Sequence, residues 1–158
     1  MAQPFSLTQD SVKPVVGMYA YMPNKPQLHN VIVGGDAPVV AGQVVKLDAT
    51  ATNTLCPVVI PAEATDDVFG VVVYDARTAV NAVGDKIAIA QTGDIIYLPV
   101  AGAVNVGAKL QFDEDTGKVD DTTTGGNTYI GVAVTKGSAD GDIIQVELDF
   151  GLGQASEA

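Results

Sequence analysis

Apolar and polar positions along this chain alternate in short runs, and no sustained 3.6-residue period is visible. Four segments share one template: Gly42-Gln43-Val44-Val45-Lys46-Leu47, Gly84-Asp85-Lys86-Ile87-Ala88-Ile89, Gly107-Ala108-Lys109-Leu110-Gln111-Phe112 and Gly141-Asp142-Ile143-Ile144-Gln145-Val146-Glu147-Leu148. Each opens on a glycine turn, and after two intervening residues apolar side chains fall at alternate positions. In a strand such positions point to one face, so each copy is expected to pack one side onto a core. Lys46, Ala88, Gln111, Gln145 and Glu147 fall between them and are assigned to the other face, the pattern of a half-buried antiparallel sheet.

A second pair of segments, Phe69-Gly70-Val71-Val72-Val73 and Tyr129-Ile130-Gly131-Val132-Ala133-Val134, carries a glycine inside the run. Such a glycine marks a bulge or the close approach of another backbone. Asp113 to Asp121, with Gly117 free to take positive φ, reads as a hairpin connection. Val, Ile and Thr are abundant, and 17 glycines and eight prolines punctuate the chain. The expectation is all-β: a small antiparallel β-barrel or β-sandwich with an extended N-terminal arm.

The arm is assigned to residues 1–30, the β-domain to 31–150 and a frayed tail to 151–158. Pro4, Pro14, Pro23 and Pro26 keep the first segment out of helices and central strands. Phe5, Leu7, Val15, Val16, Met18, Tyr19, Tyr21 and Met22 make it too apolar for a solvated linker. These eight are the candidate contact residues, lying either on a neighbouring protein or back on their own domain.

Charge narrows the partners. Eight basic residues against nineteen acidic ones leave a net −11, and no Lys/Arg cluster exists to neutralise phosphates, which argues against nucleic acid. A polyanion also avoids an anionic membrane surface, and no run approaches the ~18 apolar residues of a spanning helix. The first residues lack a basic start followed by a long apolar stretch, so a soluble chain made in the cytoplasm is expected. Asp66, Asp67, Asp85, Asp94, Asp120, Asp121, Asp140 and Asp142 all flank glycine or threonine clusters. Aspartate favours such turns because its carboxylate bonds nearby backbone amides.

Candidate chemistry is thin. The chain has one cysteine and one histidine, so no Ser-His-Asp or Cys-His constellation is supported and His29 is read as structural. Cys56, in an apolar run, is expected to be a buried, inert thiol. The ligands of a zinc site are missing. Asp113, Glu114, Asp115, Asp120 and Asp121 could ring a hard cation, but their spacing is not that of an EF-hand loop and a solvated acidic hairpin is preferred. Gly34-Gly35-Asp36 is a turn, with no lysine placed to make it a phosphate loop. No cofactor or catalytic residue is expected.

Several motifs in order resemble a known family. Val39-Val40-Ala41-Gly42-Gln43-Val44-Val45-Lys46-Leu47 is followed by Asp67-Val68-Phe69-Gly70-Val71-Val72, Gly84-Asp85-Lys86-Ile87-Ala88-Ile89 and Gly93-Asp94-Ile95-Ile96-Tyr97-Leu98. Then come Val104-Asn105-Val106-Gly107-Ala108-Lys109-Leu110, Ile130-Gly131-Val132-Ala133 and Asp142-Ile143-Ile144-Gln145-Val146-Glu147-Leu148. Over residues 38–150 this order resembles the head-decoration, or structural cement, proteins of tailed-phage capsids. The resemblance implies a tulip-like β-barrel or β-sandwich without catalytic residues. It also implies a place in the virion, on the outside of an expanded icosahedral shell, as a homotrimer or homodimer. There it would bridge major capsid protein subunits and resist internal DNA pressure. The arm is longer than in the smallest members, and contacts by residues 1–30 are expected to be needed for shell binding.

A second reading is a carbohydrate- or receptor-binding β-module such as a fibre or spike head. It would need exposed aromatic platforms, whereas the chain has no Trp and only five Tyr and four Phe. A β-barrel enzyme or chaperone subunit is the third, and lacks acid–base groups.

Overall fold

The computed structural model describes residues 14–20 and 29–156. Phe5, Leu7, Tyr21 and Met22 of the candidate contact set lie outside them. The described residues form twelve short strands and a closing 3-10 turn, with no α-helix. One unit is a closed barrel of β1 (His29–Val33), β4 (Val58–Pro61), β3 (Val44–Leu47), β5 (Gly70–Val72) and β7 (Lys86–Ala90), in that order. The other is a five-stranded sheet ordered β10 (Val119–Asp120), β9 (Lys109–Phe112), β11 (Tyr129–Ala133), β12 (Ile143–Leu148), β8 (Ile95–Pro99). A two-stranded ribbon pairs β2 (Val39–Val40) with β6 (Val80–Asn81). The expected all-β class and barrel are both present.

The template glycines start the strands. Gly42, Gly84, Gly93, Gly107 and Gly141 have φ between +81° and +96°. After each, the next residue donates its N–H to the carbonyl three residues back: Gln43 to Val40, Asp85 to Ala82, Asp94 to Gln91, Ala108 to Asn105 and Asp142 to Ala139. This is the type II turn, which requires positive φ at its third residue. Gly93 thus begins a fifth copy of the template, leading into Ile96 and Leu98, both fully buried.

Antiparallel pairing has one exception in the barrel. A ring of five strands cannot alternate direction all the way round, so at least one adjacent pair must run parallel. Here that pair is β1 with β4, Ile32 opposite Val58 and Val33 opposite Val59. The second sheet has the same odd count, and its two edges touch at a parallel bridge between Val100 and Val119.

The barrel interior holds Val31, Val33, Val39, Val45, Val59, Val72, Ile87 and Ile89. Valine suits so narrow a ring because it fills width without length. The adjacent residues Val44, Val71 and Ala90 join the other core cluster, with Ile96, Leu98, Leu110, Ile130, Ile144 and Leu148. Successive strand residues point to opposite faces, so β3, β5 and β7 are buried on both sides where the barrel meets the sheet. The half-buried expectation fails there, and the doubled apolar pairs Val44-Val45, Val71-Val72 and Ile89-Ala90 are its sequence trace.

Both in-strand glycines sit at close approaches. The β11–β9 register shifts between Tyr129 and Gly131, and a Cβ at Gly131 would collide with the Glu147 carbonyl oxygen. At Gly70 a Cβ would lie 2.6 Å from Ile89 Cδ1. The hairpin is also as expected, with Val119 opposite Phe112.

Four expectations change. Leu47, placed inward by alternation, is half exposed because β3 ends there at the barrel rim. Gln111, placed outward, is buried. Residues 122–127 fold over it, and its amide donates to Thr124 O and Asn127 O and accepts from Thr124 N. The tail is held as far as Ala155, which is buried and exchanges hydrogen bonds with Gly126 and Asn127. β1 begins at His29, inside the stretch assigned to the arm.

Candidate binding surface

The described part of the arm lies against its own domain. Pro14–Ala20 runs along β8 in antiparallel register, with Tyr19 opposite Ile96. Gly17 N donates to Tyr97 O (2.7 Å), Tyr97 N to Met18 O (2.9 Å) and Ala20 N to Ile95 O (2.8 Å). On its other side Tyr74 N donates to Gly17 O (3.0 Å). Residues 14–20 therefore form a strap between the end of β5 and the second sheet. Glycine is required at 17, where φ is +78° and a Cβ would sit 2.7 Å from Gly42 N and 2.8 Å from Val72 O. Of the candidate residues, Tyr19 packs on the core, Val16 and Met18 are half-buried, and Val15 is exposed. Burial raises the Tyr19 phenol above its ordinary pKa, and the Asp94 carboxylate adds to this.

His29 lines a cleft of about 460 Å³ with Val68, Phe69, Gln91, Thr92, Asp94 and Phe150. Three of its polar side chains bond the backbone: Gln91 Nε2 to Phe69 O, Asp94 Oδ2 from Gln91 N and Thr92 Oγ1 from Phe150 N. Cys56 is half-buried rather than buried, because its loop carries the exposed Asn53, Thr54 and Leu55. The fold brings this thiol to β1, where it donates to Asn30 O (3.5 Å).

Among the described residues, turns engage nine of the aspartates, each of which accepts a main-chain N–H within four residues: Asp48, Asp66, Asp75, Asp85, Asp94, Asp113, Asp120, Asp142 and Asp149. Among the described residues no three His, Cys, Asp or Glu side chains are grouped to hold a metal. No described helix is long and apolar enough to cross a membrane.

What the surface does offer is shape. A groove runs between the 113–117 hairpin and the β2–β3 turn. One part, about 250 Å³, reaches Pro61 and Glu63; the other, about 300 Å³, reaches Val16 and Pro99. Gly42, Gln43, Glu114 and Gly117 line both parts. Nearby, Val40 and Val80 face each other across the β2–β6 ribbon, both nearly half exposed. Only tertiary placement assembles this surface; of the described candidate residues, Val16 lines it.

Residues 7–149 match the model of the structural cement protein family (E217 gp24/Pam3 gp6). The chain belongs to the phage structural cement protein family. The match begins well before residue 38, so the strap falls within the family pattern rather than outside it. A family of structural cement carries a structural rather than an enzymatic role. No curated protein sequence matches the chain. Among solved structures it is similar to the head fiber gp8.5 N base in bacteriophage phi29, at 13% identity and a TM-score of 0.53. The alignment covers 81% of this chain and 96% of that one. At that identity the likeness concerns the fold.

Proposed function

We propose that this cement-family chain binds the outer surface of an expanded phage head, bridges neighbouring major capsid protein subunits and stiffens the shell against DNA pressure. The observation that carries the reading is the family match over residues 7–149. Supporting it, nine aspartates bond turn amides and the one thiol bonds a main-chain carbonyl. A ligand that binds only the assembled shell stabilises that state by mass action. Repeated copies on a lattice, as homotrimers or homodimers, add their weak contacts through avidity. Phe5, Leu7, Val15, Tyr21 and Met22 are the arm's proposed contacts with the shell or a sister subunit. Val16, Met18 and Tyr19 of the same set hold the strap.

The test is co-sedimentation of the full chain with expanded, undecorated heads, followed by imaging of the particles. Saturable binding at fixed lattice positions is expected. Failure to bind intact heads would overturn the reading and favour a receptor- or carbohydrate-binding module. Replacing Phe5 and Leu7 by serine is expected to weaken head binding at unchanged melting temperature, and equal binding would remove the arm from the contact.

A further inference from the structure

The hairpin groove combines an apolar floor with a rim of one charge. Its floor is core: Val44, Leu98, Phe112 and Val119 are all at least nine-tenths buried, yet their edges line the cavity. Its rim is acidic, with Glu63 on one bank and Asp113, Glu114 and Asp115 on the other. Among the described residues no lysine or arginine lines either part of the groove. Two described lysines of the flanking strand and hairpin are already paired. Lys46 pairs with Asp66 at 2.6 Å and Lys118 with Asp140 at 2.7 Å.

Among the described residues, Glu63 and Asp115 take part in no ion pair, and both are exposed. Asp113 is held by the Asp115 and Thr116 amides. Glu114 reaches across the groove to accept from Ala64 N, so the hairpin is tied to the opposite bank. That bond fixes the width without neutralising the charge.

We propose that this groove is the seat of a lysine- or arginine-bearing apolar segment of the shell protein; the inference rests on the cement reading. A long basic side chain lays its methylenes on apolar surface while its head stays at the polar rim. Here the floor takes the stem and Glu63 and Asp115 take the head. A second copy of this chain is the competing occupant: the net −11 of each copy opposes the approach of two such surfaces, whereas its N-terminal segment carries Lys13 and Lys25, and the coupling experiment separates the two.

The experiment compares two full-length variants of equal charge change for binding to expanded, undecorated heads at low and physiological ionic strength. One is E63Q/E114Q/D115N, in which Gln at 114 keeps an acceptor for Ala64 N. The other, D36N/D67N/D121N, alters three exposed acids outside the groove. The groove variant is expected to bind roughly ten-fold more weakly with a shallower salt dependence, the control variant as the natural chain does. Carbodiimide coupling is expected to link Glu63 or Asp115 to a lysine of the shell protein.

Equal weakening by both variants would overturn the proposal in favour of overall charge. A groove variant that binds normally would overturn it while leaving the cement reading intact. Coupling of Glu63 or Asp115 to another copy of this chain would assign the groove to self-association and overturn it too. If the natural chain itself fails to bind heads, the groove proposal and the cement reading fall together.

Discussion

Replacing Gly17 by alanine tests whether the strap is a separable element. The substitution carries two penalties. A residue with a Cβ at φ +78° costs about 1–2 kcal/mol relative to its preferred backbone. The added methyl, under 3 Å from two main-chain atoms, forces a shift that costs about 1–3 kcal/mol. Together these reach about 2–5 kcal/mol. The strap is held by four main-chain hydrogen bonds, worth net about 0.5–1.5 kcal/mol each.

The penalty and the hold are therefore of one size, and the strap is expected to detach while barrel and sheet stay folded. Hydrogen exchange reads this directly. The Tyr97 and Tyr74 amides, which donate to Met18 O and Gly17 O, are expected to lose protection by about 30-fold or more, since ~1.4 kcal/mol is a factor of ten. The Leu148 amide, bonded to Asp94 O inside the second unit, is expected to keep its protection. On release the Tyr19 phenol returns toward its ordinary pKa, because burial and the Asp94 carboxylate no longer raise it. G84A separates the two penalties: Gly84 has φ +93° with nothing within 4 Å, so only the backbone cost applies. Unchanged exchange at Tyr74 and Tyr97, or equal loss of protection at all three amides, would refute the reasoning.

Two further expectations concern the core and the surface charge. Ile89→Ala, at a fully buried barrel position, is expected to cost about 2–5 kcal/mol. Leu55→Ser, at a side chain 96% exposed, should stay within about 0.5 kcal/mol; chemical denaturation compares the two. The Asp75 carboxyl is drawn down to about 2, chiefly by the side-chain hydrogen bond from Arg77 and then by the Arg77 N–H. Its folded pKa is lowered, so its contribution to stability is present above the ordinary carboxylate range and is lost as pH falls toward about 2. In Arg77→Ala, carboxyl NMR is expected to show the Asp75 midpoint rising toward the ordinary range, and a midpoint that stays put would contradict the assigned cause.

Glycine turns followed by alternating apolar positions made the strand starts and the all-β class legible in the sequence, because a turn and a two-residue period are local properties. The same locality made Asp66, Asp85, Asp94, Asp120 and Asp142 legible as turn residues, since each bonds amides only a few positions away, whereas Asp67, Asp121 and Asp140 make no such bond. The order of whole motifs carried the family resemblance, which single motifs could not.

What the tertiary structure alone decided is non-local. The parallel β1–β4 seam follows from closing an odd ring, and no window of sequence counts the strands in a ring. Gln111 turned inward because a loop thirteen residues away supplied its hydrogen-bond partners. The strap chose its own domain through a glycine contact with Gly42 and Val72, distant in sequence. The groove joins a hairpin, a turn and a loop whose residues are separate in the chain. Periodicity specifies which face a side chain takes. Which surface that face meets depends on pairings between distant segments, set by ring closure and by packing against the second sheet.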